Sequence, residues 1–300
     1  MAGKQKPSPH SKTQSILARL SDLTIQLTIT IHTEDVKKAY DESLTKIIQE
    51  TTLPGFRKGK APRELVEQKT EKTKIYEEVI QTIVSRSYFK AVKEHNLKPI
   101  ISPKIELLKA EEGKDWEIRA TTCEAPKINL GNYKEEIRKV LAPSKIWVPG
   151  KSEKGKGEKA KEESEEEKNQ KIIQILLQLV PVDLPRMLIE DEVNRALSGL
   201  INQTNSLGLT VEQYMASIGK NKEIIRQEYQ ARAESDLKLQ FILEQIAEDE
   251  KIEISEKEID SLIEAIGDQK LNNSLNNPAQ RAHLGGILRR RKALELLVKL

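Results

Sequence analysis

Residues 151–170 carry no large apolar side chain; Lys, Glu, Gly and Ser dominate the stretch. A segment of that composition cannot bury enough surface to offset the entropy of ordering it. We therefore expect a solvated charged linker over 143–170, and the acidic run 162–167 as the start of a following helix is the lesser reading. The linker divides 300 residues, more than one core usually organises. A polar tail with Pro7 and Pro9 is expected over 1–15, one domain over 16–142 and another over 171–300.

The two parts follow different periods. Leu23, Ile25, Leu27, Ile29 and Ile31 alternate with polar residues, which predicts a strand with one buried face. Helical spacing follows over 34–50, through Val36, Tyr40, Leu44, Ile47 and Ile48, and again over 72–95 after a short helix. Strands are predicted at 104–108 and 116–123, joined by a turn at Gly113. This order gives an α+β domain, an antiparallel sheet with packed helices on one face. From Lys171 onward the pattern is helical throughout, so an all-α domain is expected. Pro181 stops its first helix, Asp183 caps the next with Pro185 in the first turn, and Thr210/Gln213 and Ser255/Glu258 have capping-box spacing. A helix over 222–250 carries Ile225, Tyr229, Arg232, Leu239, Leu243 and Ile246 near one seam, and a polar loop is expected over 272–278.

Composition excludes several kinds of chemistry. Fifty basic residues stand against 47 acidic, a net charge of +3, so any nucleic-acid contact must be local. Cys123 is the single cysteine and reads as a half-buried strand residue in a reducing compartment. His10, His32, His95 and His283 lack metal-ligand spacing, so no metal is expected. Gly150, Gly155 and Lys156 imitate a phosphate-binding loop, but Gly157 stands where a magnesium-binding Ser or Thr belongs. No cofactor and no ATP site are expected. The run 172–180 is too short to span a bilayer, so the chain is expected in the cytoplasm without a membrane partner.

Residues 54–62 read Pro-Gly-Phe-Arg-Lys-Gly-Lys-Ala-Pro. The prolines push their predecessors out of helix, while Gly55 and Gly59 supply positive φ without steric cost. A protruding tip is predicted that presents Phe56 for an apolar pocket, Arg57 as a planar fork, and Lys58 and Lys60 as point charges. A merely solvated loop, with Phe56 folded back on its own core, is the competing reading.

This nonamer, set between two helices, resembles the ribosome-docking signature of the trigger factor family, bacterial chaperones at the nascent-chain exit. The resemblance implies that Phe56, Arg57 and Lys58 contact the large ribosomal subunit near the tunnel exit, on protein or rRNA. Gly55 and Gly59 would shape the loop, and Lys60 would add phosphate attraction. Stretches 182–197 and 208–266 resemble the family's C-terminal body, whose two helical arms enclose a substrate cradle. Most members insert a prolyl isomerase domain between the halves. Here about thirty residues separate Leu141 from Lys171, where a folded domain needs about 50; Trp147 is the one aromatic left there. The chain is thus expected not to be an enzyme. Exposed apolar helix surface would hold nascent or unfolded polypeptides without ATP, and Met187, Leu188, Tyr214, Met215, Phe241 and Leu284 are candidate contacts, each of which also suits ordinary helix packing. A weak homodimer is allowed. A peptidyl-prolyl isomerase, or an RNA or ribosome assembly module using the loop alone, are the alternatives.

Overall fold

The computed structural model describes residues 14–52, 54–111, 113–141, 164–266 and 277–300. Alternation becomes β2 (Thr24–Ile31), in which Ile25, Leu27, Ile29 and Ile31 are all buried. With β1 (Gln14–Arg19), β3 (Lys104–Lys109) and β4 (Trp116–Cys123) it forms one antiparallel sheet of order β1-β2-β4-β3. The register sets Ile29 opposite Ile118 and Leu27 opposite Ala120, so the two central strands share one apolar face. Helices α1 (Thr33–Glu50) and α3 (Lys72–Glu94) close that face with Ala39, Leu44, Ile75, Val79 and Ile83, and α2 (Arg63–Lys69) lies between them in sequence. Each fully buried aliphatic side chain contributes about 1.5–3 kcal/mol. The α+β fold expected from the periods is the fold observed.

Two details depart from expectation here. Gln14 and Ser15, expected in the tail, belong to β1, where the Ser15 hydroxyl donates to Glu94 at 3.0 Å. This edge strand was hidden because Ile16 faces solvent and leaves no clean alternation. Cys123 is fully buried rather than half-buried.

The chain parts into two compact units, one reaching Ala125 and including Pro185–Leu188, the other made of Pro126–Leu184 and Ile189–Leu300. The first domain was expected to run to 142. Instead an unpredicted helix, α4 (Tyr133–Leu141), buries Tyr133 and Ile137 among Ile172, Leu176, Ile242 and Ile246 of the second unit. The Tyr133 hydroxyl donates to Glu250 at 3.0 Å, and Lys134 pairs with the same carboxylate at 2.5 Å. Burial and that neighbouring carboxylate push the Tyr133 phenol well above its ordinary pKa.

The second unit continues with α5 (Glu165–Leu179), α6 (Arg186–Ser206), α7 (Val211–Ser217), α8 (Lys222–Asp249), α9 (Glu256–Ile266) and α10 (Pro278–Val298). The linker expected to last until 170 is overtaken by α5. The Glu167 N–H donates to Ser164 Oγ and the Ser164 N–H to Glu167 Oε2, both at 3.2 Å, a complete capping box. Three acidic residues in that first turn complement the helix dipole, so the charged run starts a helix. Pro185 precedes α6 rather than opening it. Arg232, expected near the α8 seam, is exposed, and Ala233 and Leu237 hold the buried positions. Trp147, the Gly150, Gly155, Lys156 and Gly157 imitation, and residues 272–276 of the expected loop lie outside the described residues. Among the described residues no helix is long and apolar enough to cross a membrane, and no His, Cys, Asp and Glu group could hold a metal ion.

Candidate functional site

The basic nonamer forms the connection between α1 and α2. Thr51 ends α1 in extended conformation, its N–H donating to the Ile47 carbonyl at 2.9 Å, and Pro62 caps α2 with its carbonyl accepting from Leu65 and Val66. Between them Gly55 sits at φ +86° and Gly59 at φ +77°, both in the left-handed region. The Lys60 N–H closes a turn onto the Arg57 carbonyl at 2.9 Å, and Ala61 is buried, pinning the base of the loop. Phe56 is 40% exposed, and Arg57, Lys58 and Lys60 are exposed. Among the described residues none of these three cations forms an ion pair.

Several cations elsewhere in the unit are committed to carboxylates. Arg63 is held by Asp41 at 2.5 Å, Lys46 by Glu78 at 3.2 Å and Arg86 by Glu42 at 2.9 Å. Three uncommitted cations around an aromatic ring can meet phosphate or carboxylate without first breaking an internal bond.

The candidate client contacts divide. Met187, Leu188 and Met215 are 5–7% exposed and serve as core. Tyr214, Phe241 and Leu284 are half-buried, Tyr214 against a small cluster of Leu200, Met215 and Ile225. What sequence reasoning missed is the rim of that cluster. Ile201, Leu207, Leu209, Ile218 and Ile224 are 40–66% exposed along the stretch from the end of α6 to the start of α8. The signal was available: these residues fall off the buried stripe through Leu197, Leu200 and Thr204, and Leu207 and Leu209 flank Gly208 at the helix end. A complete Thr210–Gln213 capping box and the Asn221 side chain, which accepts from the Ile224 N–H at 2.8 Å, fix the two turns that carry them. These side chains are exposed apolar surface spread along residues 201–224.

A sheet with helices over one face, followed by a helical unit, defines the class, and comparison with known proteins gives the family. The protein-family model for the bacterial trigger factor protein (TF) matches residues 14–145, and the model for its C-terminus matches 151–299. The chain belongs to the trigger factor family. Only residues 146–150 stand between the two matches, which leaves no room for an inserted isomerase domain. Trigger factor of Pelotomaculum thermopropionicum is 37% identical over 117 residues, 39% of this chain and 27% of that protein. Trigger factor of Staphylococcus aureus (strain Newman) is 36% identical over 108 residues, 36% and 25% of the two chains. The matched stretch thus spans about a quarter of the length of these relatives. A solved structure described as promiscuous substrate recognition in folding and assembly activities of the trigger factor chaperone aligns with TM-score 0.60 and 14% identity, covering 95% of this chain and 99% of that one. At that identity the likeness concerns the fold.

Proposed function

We propose that the chain is an ATP-independent chaperone that docks on the large ribosomal subunit near the tunnel exit through Gly55–Lys60 and holds emerging polypeptides on exposed apolar helix surface. The observation that carries this reading is the exposed Phe56 beside three cations without internal partners, presented between two left-handed glycines. Family membership supports the chaperone role, and the solved relative's described substrate recognition supports a polypeptide client. Dispersed apolar groups such as Ile201, Leu207 and Ile224 suit weak, cumulative binding of many sequences, which ends when the client buries its own apolar surface. No step needs a nucleotide. The proposal sets the protein in the cytoplasm and gives it no isomerase activity, since the two family matches nearly abut.

Replacing Phe56, Arg57 and Lys58 together with Ala tests the docking assignment. Co-sedimentation with ribosomes is expected to vanish while helix content and suppression of client aggregation persist. Undiminished sedimentation rejects the loop as the anchor. Lost aggregation suppression would favour a loop that serves clients rather than ribosomes.

A further inference from the structure

The first unit holds a second feature that docking does not use. Beneath the start of α1 lies a cavity of about 480 Å³, within the range that ligand pockets occupy. Tyr40, Tyr76 and Trp116 line it as successive tilted rings, with centroids 5.7 Å apart for the first pair and 6.3 Å for the second, and Val36 adds an aliphatic wall. Trp116 is 2% exposed, whereas Tyr40 and Tyr76 are half-buried and open to the cavity. Six of the molecule's aromatic residues are tyrosines and two are tryptophans, so three of these eight are gathered at one place. A core this lean in aromatics would be expected to pack them closed.

We propose that this cavity receives a neutral aromatic side chain carried by an extended polypeptide, giving the first unit its own client-reading pocket. This rests on the polypeptide-holding reading above. The rim decides the charge of the occupant. Asp41 is engaged by the chain's own Arg63, and Glu67 accepts from the Tyr40 hydroxyl at 2.7 Å. Lys114 is paired with Glu111, and among the described residues Lys37 forms no ion pair. Lys37 and Lys114 stand against Asp41 and Glu67 in the lining, so the cavity carries no net charge and favours an uncharged guest. The Tyr40 hydroxyl is already committed to Glu67, which leaves ring surface for the guest and the Lys37 ammonium for a passing peptide carbonyl. Aromatic guests favour tilted or offset contact at centroid distances of 4.5–7 Å, the spacing the host rings already show.

The test uses the intact chain with Trp147→Phe, so that emission comes from Trp116 alone. Acetylated, amidated pentapeptides of alanine with Phe, Arg or Ala at the centre are titrated, and Trp116 emission is followed. Expected is a saturable change with the Phe peptide and none with the other two. Tyr40→Ala should weaken binding about tenfold, the size of a lost ring–ring contact. Val36→Phe, which fills the cavity without removing a ring, should abolish the response while circular dichroism stays native. A silent Phe peptide, equal binding of the Arg peptide, or an unaltered response in Val36→Phe each overturns the proposal. Aggregation suppression is measured on the same preparations. Suppression by the Trp147→Phe chain with a silent Phe peptide overturns the pocket alone, and failure of that chain to suppress while it still binds the Phe peptide overturns the chaperone reading.

Discussion

Gly55 and Gly59 make the same backbone demand in different surroundings. A Cβ on Gly55 would meet nothing within 4 Å, whereas one on Gly59 would stand 3.4 Å from the Gln49 carbonyl oxygen at the end of α1. A left-handed non-glycine residue costs about 1–2 kcal/mol, so both substitutions strain the backbone, and at Gly59 the added methyl would also rest in van der Waals contact with the end of α1. Gly55→Ala and Gly59→Ala are each expected to weaken the proposed ribosome binding about tenfold, with unchanged helix content; equilibrium sedimentation against ribosome concentration measures both. At this scale the loop was legible because prolines and glycines act on their own backbone and nearest neighbours. Met187, Leu188 and Met215 were not, since a methionine suits an exposed client surface and a packed core equally, and only the surrounding helices decide. Tyr40 shows the same limit. Its place on the inner face of α1 could be read from spacing, but the burial and, after it, the Glu67 contact that raise its phenol pKa to about 12 depend on other elements.

Elements with a strong period and a local stop signal were read with small error: β2, α1, α3 and the Thr210–Gln213 start of α7. Those that depend on distant partners were missed. β1 is an edge strand with an outward Ile16, α4 is a short helix whose Tyr133 and Ile137 need α5 and α8, and the acidic start of α5 resembles solvated chain until its capping box is seen. The junction of α9 and α10 gives a pH test. Glu258 accepts from the Ser255 N–H at 2.9 Å and hydroxyl at 3.0 Å, and pairs with Lys292 of α10 at 2.5 Å. Chiefly the lysine, then the serine, lower its pKa from 4.5 to about 2. A depressed folded-state pKa means that this stabilisation is complete above about 4.5 and disappears as pH falls through about 2. Glu258→Gln should therefore be less stable than the parent at neutral pH, and the two should converge near pH 2. Urea unfolding of both proteins at several pH values checks the convergence, and a constant difference would contradict it.

Over the whole molecule, cations and anions nearly cancel, so the proposed attraction to the ribosome would come from the loop and not from a global field. Binding should weaken steeply as ionic strength rises, because the screening length falls from about 10 Å at 0.1 M to about 3 Å at 1 M. Client holding by the apolar rim near α7 should persist or strengthen in the same series, and light scattering of a denatured client alongside sedimentation separates the two. The sheet order carries one more consequence. Thr24 pairs with Cys123, so β2 gains its second neighbour only after β4 has been synthesised. Until then one edge of β2 is unpaired and the core lacks Trp116, Ile118 and Ala120, and closing so long a loop is slow. During its own translation, then, this chain passes through the state it is proposed to guard in others: a newborn polypeptide with its interior on display.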